Sequence, residues 1–375
     1  LPSIHIGVVT SDLGAKGADG VIATGIGNLG QGGCAGSGKA GNLQLFGATV
    51  SGGPYISDIL NEMTGVRTQN YTGSLEATFA QMAKAGAGGC GFEQHLEAMK
   101  VALTAGKPTN AGFLRDDAYL AVIIIADEDD CSMEHTTLLG PDSPQLGPRQ
   151  SFRCTRFGVI CDDNGQTPDA MNALGSKSRC HPADNSAYLT KVADYATFLR
   201  GLKPTDPSKV IVAGIVGPPT PVATELRSPN QGDAPSPALQ HSCSYAPPDN
   251  PKAVEVADPA VRIKYFLDQF PNRSTFVPIC QPDLSDGLKQ IGKGFIEKTT
   301  FKRGATVAKS PDSRQECPMR CVSLALCRRL LAPAIDGSLA PTSIFSPVRM
   351  LAGPAAGHSR KASIQPSRSR RQCQS

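Results

Sequence analysis

No apolar run in these 375 residues is long enough to cross a bilayer. The longest, Ala118 to Ala126 (AYLAVIIIA), falls well short of the roughly 20 residues that a spanning helix needs. No charged segment followed by an apolar stretch opens the chain, which begins at Leu1, so an export signal would lie upstream. There is no Gly-x-Ser-x-Gly elbow to raise a serine nucleophile above a sheet. There is no Cys-x-x-Cys pair either, so the neighbouring Cys154, Cys161, Cys180 and His181 fit no compact zinc module.

A strong surplus of one charge sign is also missing from the first 303 residues. The last 72 residues hold 11 Lys/Arg against 3 Asp/Glu, and the first 303 hold 26 against 30. The net charge of +4 is therefore the average of a weakly acidic body and a basic tail. It is no argument for a nucleic-acid partner, and none is expected. The Ser, Pro, Ala and Arg-rich tail, 304–375, reads as disordered or out-of-frame sequence, which leaves 1–303 as one domain.

Cysteine is abundant. Twelve is high for a cytosolic enzyme, and eight fall in the body: Cys34, Cys90, Cys131, Cys154, Cys161, Cys180, Cys243 and Cys280. An even number in loop-rich sequence predicts disulfides and an extracytoplasmic protein, with the pairing left open.

Ser3 to Thr10 (SIHIGVVT) reads as a buried strand closed by a turn. Gly14 to Gly53 is a glycine-dense loop, with Asn42 to Phe46 as a short edge strand. Leu75, Phe79 and Met82, then Phe92, Leu96, Met99 and Leu103, repeat at helical spacing. Ala118 to Ala126 is apolar on both faces, as strands in the middle of parallel sheets are. Gly140 to Asn185 reads as an irregular insertion tied by disulfides, and Gly217 to Pro259 as irregular and proline-rich. Leu189 to Leu199 gives a helix and Lys209 to Val216 a strand. A helix (Val261 to Phe270), a strand (Thr275 to Ile279) and a helix (Leu284 to Lys298) complete the body. The alternation predicts an α/β fold: a mainly parallel sheet with helices on both faces.

Gly25 to Gly30 spells Gly-x-Gly-x-x-Gly, but no helix follows and no acidic residue stands about twenty positions on to hold a ribose. Gly33 to Ala40 approaches a phosphate loop, yet Ala40 stands where a hydroxyl must reach magnesium. Both read as loop. His5 and His95 read as packing or surface residues, and His135 and His181 as loop residues. The most informative cluster is Asp127-Glu128-Asp129-Asp130, directly after the most apolar strand. Ligands of open parallel sheets bind beyond the carboxyl ends of strands, where carboxylates suit a hard cation. Asp12 ends another strand and points to the same edge, so Asp127, Asp12 and Asp129 are the candidate metal-binding residues. A solvated acidic turn is the competing reading.

The strings LPSIHIGVVTSD (from Leu1), GCGFEQHLEAMKVAL (from Gly89), GFLRDDAYLAVIIIADEDDCS (from Gly112) and FRCTRFGVICD (from Phe152), with the segments Tyr195 to Pro218 and Phe270 to Ile296, resemble a von Willebrand factor type A-like domain. The likeness is to the cysteine-rich kind found in exported proteins and lipoproteins of bacteria such as myxobacteria. It implies a Rossmann-like α/β fold and a non-enzymatic, adhesion-type role, with a protein or cell-surface ligand and a lipid anchor upstream. The family's metal-ion-dependent adhesion site uses Asp-x-Ser-x-Ser, a Thr and an Asp. Asp127 matches the last of these. The first motif is absent, and no Thr stands near Gly91 to Glu93. The resemblance thus implies a chain lacking the first, central strand and its helix, with a degenerate metal site. Mg2+ or Ca2+ would bind only if a segment upstream supplied the remaining ligands. A gap in the sheet predicts marginal stability. The alternative function is a divalent-cation-dependent hydrolase or phosphotransfer enzyme using Asp127 to Asp130.

Overall fold

The computed structural model describes residues 2–30, 32–228 and 234–300. The tail read as disordered or out of frame lies outside the described residues. In chain order the elements are β1 (Ile4–Ile6), β2 (Ile56–Leu60), β3 (Arg67–Gln69), α1 (Leu75–Met82), α2 (His95–Leu103) and β4 (Leu120–Ala126). Then come α3 (Phe152–Gly158), β5 (Val159–Asp163), α4 (Pro168–Asn172), β6 (Gly175–Pro182), α5 (Val192–Gly201) and β7 (Val210–Val216). The last are β8 (Val222–Arg227), β9 (Ser236–Leu239), β10 (Cys243–Tyr245), β11 (Glu255–Ala257), α6 (Val261–Asp268), β12 (Ser274–Pro278) and α7 (Ser285–Thr300).

The fold is mixed α/β around a small parallel sheet ordered β12-β7-β4. β7, with every residue buried, lies in the middle. β4 runs beside it in full register from Leu120↔Val210 to Ala126↔Val216. One face of the sheet (Leu120, Ile124, Val210, Val212, Val216) packs on α2, α5 and α6 through Leu96, Met99, Val192, Tyr195, Leu199, Ile263 and Phe266. The other face is covered at β7 and β12, where Ala213, Ile215 and Val277 meet Ile291 and Leu288 of α7. That cover stops short of β4. Ile123 and Ile125 are 44% and 45% exposed. A strand that reads as apolar on both faces is thus parallel as expected, but stands at the edge with one face open.

The Ser3 to Thr10 run departs further from expectation. Only Ile4–Ile6 is strand, and it pairs antiparallel with β2, which in turn pairs with β3. It belongs to a separate sheet and takes no part in the parallel one. His5 and Gly7 interrupt its apolar character. The His5 ring nitrogen Nδ1 lies 2.8 Å from the Phe113 carbonyl oxygen, and the Val8 carbonyl accepts from the Gln44 amide at 2.8 Å. Asn42 to Phe46 forms no strand.

The two segments read as irregular supply a four-stranded antiparallel sheet, ordered β5-β6-β8-β9, and the β10-β11 hairpin. Alternation is weak in these strands because polar residues fill them: β6 reads GSKSRCHP and is mostly exposed. Arg153, 1% exposed, gathers the preceding loop, donating to the carbonyls of Leu138, Gly140, Pro141, Gly147 and Pro148 at 2.6–3.2 Å.

Of the helical stripes, Leu75, Met82, Leu96, Met99 and Leu103 are buried and Phe79 is 42% exposed. Ser74 caps α1, its hydroxyl accepting from the Ala77 amide at 3.1 Å. The eight body cysteines form Cys34–Cys90, Cys131–Cys154, Cys161–Cys180 and Cys243–Cys280. Cys154, Cys161 and Cys180 are therefore structural. Four disulfides among the described residues point to an oxidising, extracytoplasmic environment, and among those residues no helix is long and apolar enough to cross a membrane.

Candidate functional site at the carboxyl edge of the parallel sheet

The acidic run after β4 divides into two pairs with different work. Asp129 and Asp130, 8% and 0% exposed, hold the fold together. Asp129 accepts from the amides of Arg262 (2.8 Å), Ile263 (3.0 Å) and Asp130 (2.9 Å), satisfying free N–H groups at the start of α6. Burial pushes its pKa up to about 6 against the pull of those donors. Asp130 accepts from the Leu96 amide (2.9 Å) in the first turn of α2, and from the hydroxyl (2.7 Å) and amide (3.2 Å) of Ser132. It also faces Arg262, whose Nη2 lies at 3.1 Å and Nε at 3.3 Å. These two carboxylates tie α2, β4 and α6 into one unit.

Asp127 and Glu128 are half-buried and differently placed. The Asp127 carbonyl accepts from the Asp258 amide at 2.7 Å, which fixes the start of the turn. Burial, with the Glu93 and Asp258 carboxylates nearby, pushes the Asp127 pKa up to about 6. Glu128 is raised well above the usual carboxylate range by burial and by Glu93, Asp258 and Asp127; its one side-chain partner is the Ser151 hydroxyl at 3.5 Å. Glu93 pairs with His95 (Oε2 to Nε2, 3.0 Å), and Asp258 with His241 (Oδ1 to Nδ1, 2.6 Å). Burial disfavours the His95 cation, but the carboxylates of Glu93, Asp130 and Asp129 together outweigh it and raise the pKa. His95 Nδ1 is buried without a hydrogen-bond partner.

Asp12 lies on a neighbouring hollow of about 140 Å3 whose lining includes Thr10, Ser11, Lys39, Glu93 and the Gly88 to Gly91 backbone. Its Oδ1 accepts from the amides of Gly14 (2.9 Å) and Cys90 (3.4 Å). Gly38, at φ +54°, approaches so closely that a Cβ there would meet Asp12 Oδ1 at 2.2 Å. The Cys34–Cys90 disulfide and the Gly91 amide on the Gly32 carbonyl (2.9 Å) join the two rims. Glu93 is common to this hollow and to the charges around Asp127. A larger hollow of about 470 Å3, lined by Ser274 to Phe276 of β12 and by Gln290, Lys293, Gly294 and Glu297 of α7, holds no comparable cluster of carboxylates.

Among the described residues, no three His, Cys, Asp or Glu side chains are grouped so as to hold a metal ion. Sequence reading passes over Glu93, Asp258 and His241, and takes His95 for a packing or surface residue. Glu93 lies inside the GCGFEQ string, with no acidic residue next to it in sequence to mark it. Asp258 sits in proline-rich sequence without a pattern.

The raised Asp127 pKa carries a consequence for stability. A carboxyl whose folded pKa (about 6) exceeds its ordinary value of 3.8 favours folding most below pH 3.8. That advantage is lost as pH rises through 6. The difference corresponds to about 3 kcal/mol at most. Asp127→Asn is therefore expected to raise stability at pH 7 by about 1–3 kcal/mol and to leave it unchanged near pH 4. Urea denaturation at both pH values checks this; an equal shift at each would point to packing instead.

No family model matches the chain, and comparison with curated proteins and with solved structures finds no significant match.

Proposed function

We propose that the chain is a non-enzymatic, exported interaction module of the von Willebrand factor A-like kind, which presents the carboxyl edge of its parallel sheet to a protein or cell-surface ligand. The observation that carries this reading is the half-buried acidic group at that edge. Asp127 and Glu128 stand beyond β4 with Glu93 and Asp258 beside them, on a frame fixed by Asp129, Asp130 and Arg262. Ligands of open parallel sheets bind there, and disulfides at Cys34–Cys90 and Cys131–Cys154 brace the loops around it.

A divalent cation is not a tight ligand of this chain in the proposed reading, because among the described residues its carboxylates are not grouped in the number that a hard cation would need. Calorimetric titration with MgCl2 or CaCl2 is expected to show no micromolar binding; such binding would restore the cation-dependent readings. The interaction role is tested with labelled protein on bacterial envelope fractions. An Asp127→Asn/Glu128→Gln variant is expected to bind at least tenfold more weakly, while Lys293→Ala, on the far hollow, binds as the unaltered chain does. Equal binding by the first variant removes the edge from the function.

A further inference from the structure

The four disulfides are not equally sheltered. Cys34, Cys90, Cys131, Cys154 and Cys161 are buried, none of them more than 5% exposed. Cys180 is half-buried but bonded to buried Cys161, whereas Cys243 and Cys280 are both half-buried. Thiol–disulfide exchange begins when a thiolate reaches a sulfur, so access sorts labile bonds from inert ones. Cys243–Cys280 is the one of the four that can be approached at either end.

It is also the tether of a hairpin. The bond ties β10 to the segment after β12, on the side of the parallel sheet away from β4. The Cys280 side is firm, because the Ile279 amide donates to the Val216 carbonyl at 3.0 Å and carries β12 on along β7. The Cys243 side is not. β10 and β11 pair only with each other. Among the described residues no hydrogen bond or ion pair runs from 244–256 to any residue beyond the hairpin. A lone two-stranded hairpin is marginally stable in water, so this one depends on its covalent link.

The base of the hairpin meets the acidic edge. Cys243 stands opposite Ala257 in the ladder, and the Ser242 amide closes it on the Ala257 carbonyl at 2.8 Å. Just outside, His241 pairs with Asp258 at 2.6 Å, and the Asp258 amide donates to the Asp127 carbonyl at 2.7 Å. A shift at Cys243 is thus passed through Ala257 to the residue that fixes the turn after β4.

We propose that Cys243–Cys280 is a redox latch, opened by an external dithiol, that releases the β10–β11 hairpin and with it the Asp258 support of the acidic edge. A thiolate of the dithiol attacks one sulfur, and the electron pair of the broken bond leaves on the other, which takes a proton from water. The second thiolate of the dithiol resolves the mixed disulfide. Cys243 and Cys280 end as thiols, and the reductant, having given two electrons, ends as its own disulfide. This inference rests on the interaction role given above and adds a means of regulating it.

The full chain is exposed to graded dithiothreitol, thiols are trapped with iodoacetamide, and peptide mass spectrometry reads each of the eight cysteines. Cys243 and Cys280 are expected to open at a reductant concentration at least tenfold below that of any other pair. Earlier opening of Cys161–Cys180, or opening of all four together, overturns the proposal. Hydrogen exchange on the opened chain is expected to quicken at 243–258 and to stay slow along β7; unchanged exchange at Asp258 overturns the link to the edge. Binding to envelope fractions is expected to fall at least fivefold in the reduced chain and to return on reoxidation. Cys243→Ser/Cys280→Ser, which needs no reductant, is expected to show the same loss. Binding that still responds to Asp127→Asn/Glu128→Gln but not to opening the bond removes this inference alone. Binding that responds to neither removes the interaction role as well.

Discussion

Arg262→Met is expected to cost about 3–5 kcal/mol of folding stability, among the largest effects of any single side-chain replacement in this chain. Arg262 and Asp130 are 1% and 0% exposed, and the guanidinium also donates to the Thr190 carbonyl at 2.9 Å and lies 3.4 Å from that of Gly158. Methionine fills much of the same volume but leaves the Asp130 charge in the interior with only Ser132 and the Leu96 amide as donors. The cost comes from that stranded carboxylate, more than from the lost attraction of the pair. Asp130→Asn in the Arg262→Met background is therefore expected to recover a substantial part of the loss, since the side-chain carbonyl still accepts from Leu96 and Ser132. Urea denaturation of the two single variants and the double variant closes the cycle. Additive losses would mean that the two side chains act independently.

The second large effect is expected from Cys34→Ala/Cys90→Ala. The bond closes a loop with a sequence separation of 56, for which chain-entropy reasoning gives about 4 kcal/mol. Both sulfurs are buried, at 0% and 3% residue exposure. The glycine-dense segment it anchors has little else regular to hold it: isolated bridges Lys16↔Ile22, Ile26↔Cys34 and Gly32↔Cys90, and a few loop hydrogen bonds. Opening is expected to be local. Proteolysis and hydrogen exchange should rise across 14–47, while β7, buried along its whole length, keeps its protection. If β7 amides lose protection in parallel with the loop, the segment is part of the main cooperative unit.

What could be read from sequence follows the physical signal available. Lys209 to Val216 and Ala118 to Ala126 are legible because burial of a parallel strand demands consecutive apolar residues. Pairing order is not written in such a run, so the edge position of β4 escapes detection. The antiparallel strand β6 is almost wholly polar and β5, β8 and β9 have at most six residues, and cross-strand partners such as Cys161↔Cys180 give them a stability that composition does not display. The acidic cluster shows the same limit at the site. Four adjacent carboxylates look alike in sequence. Two of them acquire structural work from Arg262, Ile263 and Leu96, and the Asp130 to Arg262 contact spans 132 positions. No local pattern records that distance. Glu93 and Asp258 reach the edge through the same long-range packing.

The disulfide connectivity has a further meaning for how the molecule is made. Eight cysteines allow 105 complete pairings, and the one observed joins each cysteine to its next neighbour along the chain: 34 with 90, 131 with 154, 161 with 180, 243 with 280. No covalent loop encloses or interlocks with another. A chain threaded amino end first into an oxidising compartment, pairing each new thiol with the one just before it, arrives at this set directly. Such sequential pairing would reach the observed set without any exchange of partners.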